Sequence, residues 1–176
     1  MPHTIEPAKT GRAKCRGCGE PIAAGALRLG ERVPNPFGDE GTETTLWFHV
    51  PCAAFLRPEA FIETIATTAE TIPDREALEH EAQLGVAHRR LPRATKAGRA
   101  PTGRATCRSC KQLIEKDAWR IALQYFEDGR FSPSGFIHVT CAKEYLETTE
   151  MFGRLKHFSP ELTEADVKEI RALLET

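Results

Sequence analysis

Cys15 and Cys18 are followed, after a long gap, by His49 and Cys52; Cys107 and Cys110 are followed in the same way by His138 and Cys141. Each set reads C-x2-C and then H-x2-C. Two ligands on one tight turn meet two from another, and three thiolates with one imidazole close a tetrahedron around zinc. Four protein donors leave no open position for a substrate, so the expected role is structural, with two Zn2+ ions per chain. No cysteine is left over, and His3, His80, His88 and His157 have no such partners. A disulfide framework has no place for the histidines, and a redox C-x-x-C pair has no need of an H-x-x-C partner.

The elements that must position these ligands also recur. "TGRAKCRGC" at 10–18 returns as "TGRATCRSC" at 102–110. Ile22 and Ile114 hold the same place after the second cysteine, Leu27-Arg28 matches Trp119-Arg120, and "LWFHVPC" matches "GFIHVTC". One coincidence of spacing is weak evidence, whereas a second copy in register indicates a repeated module. "ALRLGERV" and "WRIALQYF" alternate as strands, and "TTLWFHV" and "RFSPSGFIHV" return toward the metal as their partners. The loops between them, "PNPFGDEGTE" and "EDGRFSPSG", are rich in turn formers. Short helical runs, "CAAFL" and "CAKEYLE", start at the last cysteine of each set. "IPDREALEHEAQLGVA" predicts a tail helix capped by Asp74, and "SPELTEADVKEIRALLE" a second one with Val167, Ile170 and Leu174 on one stripe. Both are expected to pack back on their own modules.

The predicted fold is therefore a pair of small α+β zinc-stapled modules, each a short antiparallel sheet with flanking helices. The expected division is 1–86 for the first module with its tail helix, 87–100 for a flexible basic linker and 101–176 for the second module. The linker reading rests on "HRRLPRATKAGRAPTGRAT", with Arg89, Arg90, Arg93, Lys96, Arg99 and Arg104 and no acid. Its charge points to nucleic acid or, in a eukaryote, to a nuclear import signal. The chain of 176 residues has 7% aromatic content and a formal net charge of -1, so any nucleic-acid surface must be local. Thin cores of this kind need a metal staple. No apolar run is long enough to span a bilayer, and "MPHTIEPAK" lacks a secretory h-region. The expectation is an intracellular protein: cytoplasm or nucleoid in a bacterium, nucleus in a eukaryote.

The Gly-Arg-Ala lead, the paired ligand spacing, the strand arginine and the aromatic-x-His-x-x-Cys segment resemble the zinc fingers of poly(ADP-ribose) polymerases. They are also similar to the finger at the N-terminus of DNA ligase III. The likeness covers roughly residues 9–57 and 101–147. It implies sequence-independent recognition of double-stranded DNA at nicks or ends, in damage sensing or repair. The sequence has no phosphate-cradling Gly loop and no Ser-His-Asp set, so the expectation is a non-enzymatic binder, a monomer, with a repair enzyme as a further partner. By this resemblance Arg12 and Arg104 contact phosphate, and Arg28 and Arg120 face the DNA from the strand. Arg16 and Arg108 beside the metal turns are secondary contacts. Phe126 and Phe131, and Phe37 in the first module, are the rings expected to stack on an exposed base pair, with Leu46 or Val33 as a second apolar residue beside Phe37. Trp47, Phe48, Phe136, Ile137 and Trp119 are expected in the cores. Asp39, Glu40 and Glu43 would repel phosphate, so the second finger is expected to bind tightly and the first weakly. A zinc-stapled protein-interaction module is the alternative.

Overall fold

A computed structural model describes residues 2–176. The described residues form two compact units. One runs to Ala87 and takes in Phe126–Phe131; the other comprises His88–Tyr125 and Ser132–Thr176.

The first unit is built on a three-stranded antiparallel sheet, β1 (Thr4–Pro7), β2 (Leu27–Pro34) and β3 (Glu43–His49), in the order β1-β2-β3. Alternation along β2 and β3 puts Leu29, Leu46 and Phe48 into the core. Three helices follow: α1 (Val50–Leu56), α2 (Pro58–Ile65) and α3 (Arg75–Ala87). Pro51 and Pro58 lie in the first turns of α1 and α2, where a missing N–H costs nothing. Asp74 precedes α3 as expected; its carbonyl accepts the Leu78 N–H at 3.0 Å, with its backbone in the left-handed region at φ 56°. α3 packs on α1 and α2 and buries Leu78 and Ala82. Glu31, 4% exposed, accepts two bonds from the Arg57 Nε and Nη2 at 2.9 and 2.7 Å, tying β2 to the α1–α2 junction. A buried carboxylate is tolerable only with such pairing.

Apart from the turn residues Phe126–Phe131, which group with the first unit, the second unit repeats the plan with β4 (Ala94–Arg99), β5 (Trp119–Glu127) and β6 (Arg130–His138), followed by α4 (Val139–Leu146), α5 (Phe152–Phe158) and α6 (Glu164–Leu174). Thr163 caps α6 in a reciprocal capping box with Asp166. α6 packs on α4, burying Ile170 and Leu174, while Val167 on the predicted stripe stays half-buried.

The stretch expected to be a flexible linker is ordered. Leu91–Arg93 forms a 3-10 turn and residues 94–99 are β4, paired with β5 through Ala97↔Ile121, Gly98↔Arg120 and Arg99↔Trp119. Leu91, Ala94, Ala97 and Ala100 are buried, so the small residues that suggested a linker are the inward side of an edge strand. Two buried polar groups hold β4 to α5 and the residue after it: Arg154 Nη1 donates to the Ala94 carbonyl at 3.0 Å, and the Ser159 hydroxyl accepts the Ala97 N–H at 2.9 Å. Arg99 is engaged as well, bonded to Glu169 of α6 at 2.9 Å and stacked over Trp119.

Ser159→Ala leaves a buried N–H unpaired and is expected to destabilise the second unit by about 1–3 kcal/mol. Urea unfolding measures the loss, and accelerated amide exchange at Ala97 localises it.

Candidate metal centres

The two ligand sets converge as their spacing predicts. Cys15, Cys18, His49 and Cys52 bring their donor atoms within 4.8 Å of one another, and so do Cys107, Cys110, His138 and Cys141. In each unit a backbone knuckle presents the first two thiols. The Cys15 N–H bonds the Glu20 carbonyl at 2.9 Å, the Gly19 N–H returns to the Cys15 carbonyl at 2.8 Å, and the Ile22 N–H reaches Ala13 at 2.8 Å. The same three bonds recur from Cys107 to Gln112, from Lys111 to Cys107 and from Ile114 to Ala105, at 2.8, 3.0 and 2.8 Å. Ile22 and Ile114 are fully buried, which anchors each knuckle in its core. Gly17 sits where a Cβ would lie 2.6 Å from the end of the Leu56 side chain, so a side chain there would press on α1 where the first knuckle meets it.

The other two ligands come from a strand-to-helix corner. His49 ends β3 and precedes α1; His138 ends β6 and precedes α4. Cys52 and Cys141 lie in the first helical turn, where the helix dipole favours a thiolate. The His49 and His138 N–H groups each donate to the first cysteine Sγ at 3.3 Å.

The imidazoles are oriented for metal. His49 Nε2 lies 3.3 Å from the Pro21 carbonyl and His138 Nε2 lies 3.2 Å from the Leu113 carbonyl. A carbonyl only accepts, so Nε2 carries the hydrogen and the Nδ1 lone pair is left for the metal. Nδ1 lies 3.3 and 3.9 Å from Cys18 and Cys52 Sγ in one site, and 3.4 and 3.7 Å from Cys110 and Cys141 Sγ in the other. The edges of a zinc tetrahedron with sulfur and nitrogen ligands are about 3.5–3.8 Å, so the donor sets fit the ion.

The crowded thiols also share protons unevenly. The hydrogen bond from Cys52 draws the Cys15 thiol down to about 4 against the opposing effect of burial, and the same contact pushes Cys52 well up. At Cys107 burial pushes up, but the Cys110, His138 and Ser109 backbone N–H groups prevail and hold it at about 6; burial raises Cys141 to about 12. A divalent ion replaces these shared protons, leaving the three sulfurs of each site as thiolates.

Around each centre the expected contact residues fall into distinct environments. Arg12, Arg16, Arg104 and Arg108 are exposed beside the knuckles. The Arg16 and Arg108 N–H groups bond the Trp47 and Phe136 carbonyls at 2.9 Å, fixing both knuckles to their sheets. Arg108 runs its side chain over Gly135, which lies at φ 100° and leaves room for it. Arg28 departs from the expectation of an open surface cation. It is 8% exposed, bonded through Nη2 to Glu6 Oε1 at 2.9 Å and stacked over Trp47 at 3.6 Å. Arg120 stacks over Phe136 at 3.5 Å but has no carboxylate partner among the described residues. Burial holds its guanidinium below the usual arginine value.

Trp47 and Phe136, expected in the cores, are half-buried shelves for these two arginines, because alternation turns them outward while Phe48 and Ile137 turn inward. Trp119 is buried as expected. Phe37 is 83% exposed, on a loop braced by the bond from its own N–H to Asn35 Oδ1 at 3.0 Å. Leu46 and Val33 are core residues, so neither supplies a second apolar group beside Phe37. Phe126 and Phe131 are half-buried and pack on one another, ring centroids 4.8 Å apart. Sequence reasoning does not reach Glu6 or the arginine shelves; the signal for the shelves is that Arg28 and Arg120 follow their first cysteines at one interval and that Trp47 and Phe136 each stand two residues before the ligand histidine.

Fold and site together define a protein of two small zinc-stapled α+β modules. Residues 6–89 match the family described as "Poly(ADP-ribose) polymerase and DNA-Ligase Zn-finger region". The chain belongs to this family of PARP-type zinc fingers and carries two of them in tandem. It is 32% identical over 137 residues to poly(ADP-ribose) polymerase 1 of Gallus gallus, covering 69% of this chain and 13% of that protein. It is 29% identical over 151 residues to the polymerase of Sarcophaga peregrina, covering 72% and 14%. With poly(ADP-ribose) polymerase 1 of Arabidopsis thaliana the identity is 25% over 176 residues, covering 97% and 17%. The chain thus spans less than a fifth of the length of these relatives. Among the described residues no helix is long and apolar enough to cross a membrane.

Elemental analysis of the purified chain is expected to give two zinc ions, falling to one in His138→Ala. Chelation should abolish cooperative unfolding, because the metal free energy is folding free energy for such small domains.

Proposed function

We propose that this protein binds double-stranded DNA at nicks or ends, acting as a monomer and by binding rather than by catalysis. The observation that carries the reading is Phe37, the one of nine phenylalanines that is exposed, held out on a braced loop of a zinc finger. A large ring left in water is costly unless something covers it. A break in duplex DNA exposes the face of a base pair that has lost its stacking neighbour. Stacking of such a face on an aromatic ring is worth about 1–3 kcal/mol and is indifferent to base identity.

At the turn between β5 and β6, Phe126 and Phe131 form the corresponding apolar pair. Arg12, Arg16, Arg104 and Arg108 flank the knuckles and grip phosphate, which gives affinity and register without reading sequence. The relatives are named as poly(ADP-ribose) polymerases, and the family description joins them to DNA ligases; both names support a place in DNA damage sensing or repair. A break has two flanks, and two fingers on one chain cover both. The second capture becomes intramolecular and raises avidity without new contacts. A repair enzyme recruited to the bound break completes the proposal.

Fluorescence anisotropy with nicked and intact duplexes of one sequence tests it. The nicked duplex should bind at least tenfold more tightly, and equal affinity would refute strand-break recognition. Phe126→Ala with Phe131→Ala should remove most of the discrimination with both zinc ions retained, and Phe37→Ala should remove a smaller part. Arg104→Ala should lower affinity for both duplexes and flatten the logarithmic salt dependence by about one unit.

A further inference from the structure

The two fingers build the same sheet face from different charges. In the first, the face holding the arginine shelf carries Glu6 from β1, Arg28 and Arg32 from β2, and Glu43, Thr45 and Trp47 from β3. Both arginines on it are spoken for. Arg28 is bonded to Glu6 at 2.9 Å with its side chain only 10% exposed. Arg32 meets Glu43 at 3.2 Å and donates to the Thr45 hydroxyl at 2.8 Å. Two cations and two carboxylates cancel.

The ladder registers identify the equivalent positions in the second finger. Glu6 stands opposite Arg28, and Gly98 stands opposite Arg120. Gln124 follows Arg120 at the interval by which Arg32 follows Arg28, and Ser132 precedes His138 at the interval by which Glu43 precedes His49. Every carboxylate of the first face is therefore replaced by a group without charge. Arg120 keeps its aromatic shelf and has no acidic partner among the described residues, and Lys96 is exposed on the neighbouring β4.

We infer that Glu6 and Glu43 are affinity-setting residues: they neutralise the sheet face of the first finger and leave that of the second as the chain's anion-gripping face. A phosphate approaching Arg28 must displace a carboxylate already bonded to a largely desolvated guanidinium, or else sit beside that carboxylate as a like charge. A phosphate approaching Arg120 meets neither obstacle. The inference deepens the proposed DNA reading and rests on it for the identity of the anion, but the charge asymmetry itself is a property of the two sheets. It places the neutralisation on the sheet, in addition to the acidic loop of the first finger.

Substitutions that exchange the two solutions test it on the zinc-loaded full chain. Gly98→Glu installs the missing counter-charge. A Cβ at Gly98 would meet no atom within 4 Å, and its backbone lies outside the left-handed region, so the position accepts a side chain. Gly98→Ser controls for the loss of glycine. Glu6→Gln with Glu43→Gln removes both charges from the first face while keeping hydrogen-bonding amides. Zinc content and thermal unfolding establish that each variant is folded. Two probes are used: a nicked duplex by anisotropy across a salt series, and retention on immobilised heparin, a polyanion with no bases.

Gly98→Glu is expected to bind the duplex about tenfold more weakly than Gly98→Ser, with a salt slope shallower by about one unit, and to leave heparin at lower salt. The Glu6→Gln, Glu43→Gln chain should bind severalfold more tightly with a steeper slope and leave heparin later. If Gly98→Glu matches Gly98→Ser and the double variant matches the parent on heparin, the inference is wrong. If Gly98→Glu does not fold, the double variant decides it alone. If heparin retention shifts as expected while the parent fails to distinguish nicked from intact DNA, the charge asymmetry stands and the strand-break reading falls.

Discussion

Everything in this molecule depends on four-coordinate closure at each metal. The first site joins a knuckle near the start of its unit to a strand-helix corner 34 residues later in the chain. The second spans an interval of 31. Neither unit has the aromatic content to hold such a contact by burial alone, and below a certain size a hydrophobic core does not offset the entropy of ordering the chain. The metal supplies the difference, and it does so at the place where the sheet, the first helix and the knuckle meet. The second-sphere bonds show the same economy: one carbonyl per site, from Pro21 or Leu113, sets the tautomer that makes the imidazole a ligand.

Closure at the metal also fixes the arginine shelves. The N–H of Arg16 or Arg108, one residue past the first cysteine, bonds the carbonyl of Trp47 or Phe136, two residues before the histidine. The shelf ring is thus locked to the knuckle through the main chain. Its outward face then accepts the guanidinium of Arg28 or Arg120 from the adjacent strand, at 3.6 and 3.5 Å. A planar cation against an aromatic face loses little water and little freedom compared with a lysine at the same place. Position and orientation of the strand arginine are therefore consequences of the metal site. Its availability depends on whatever the third strand places opposite it.

That third strand is where sequence reading stopped short. The ligands, the knuckles, the two long strands and the tail helices were legible because their signals are local: a ligand spacing, an alternation, a helical stripe. β1 and β4 carry no such signal. β1 is four residues ending in proline, and β4 is "ATKAGR", whose alanines and glycine read as linker. What makes them strands is a partner already in place, since an edge strand can be held by ladder bonds and small inward residues without any β propensity of its own. Ala97, opposite Ile121 in the ladder, is buried, and so is Ala100 just past the strand. The same blindness explains Trp47 and Phe136. An aromatic beside a metal ligand reads as core, and only the strand register reveals that its neighbour, Phe48 or Ile137, took the inward place.

An edge strand of this kind is also the natural place for two copies of one module to differ. Its inward positions are constrained by volume, and its outward positions touch nothing that the metal site needs. Glu6 is neither a metal ligand nor a partner in any knuckle bond, yet it decides whether the one arginine that the metal site has oriented is paired with a carboxylate. The fold and the pairing of the strand arginine are thereby set by different residues. The tetrahedron and the buried isoleucines Ile22 and Ile114 specify the finger, while a single outward side chain on the flanking strand decides whether the oriented cation faces solvent or its own counter-ion.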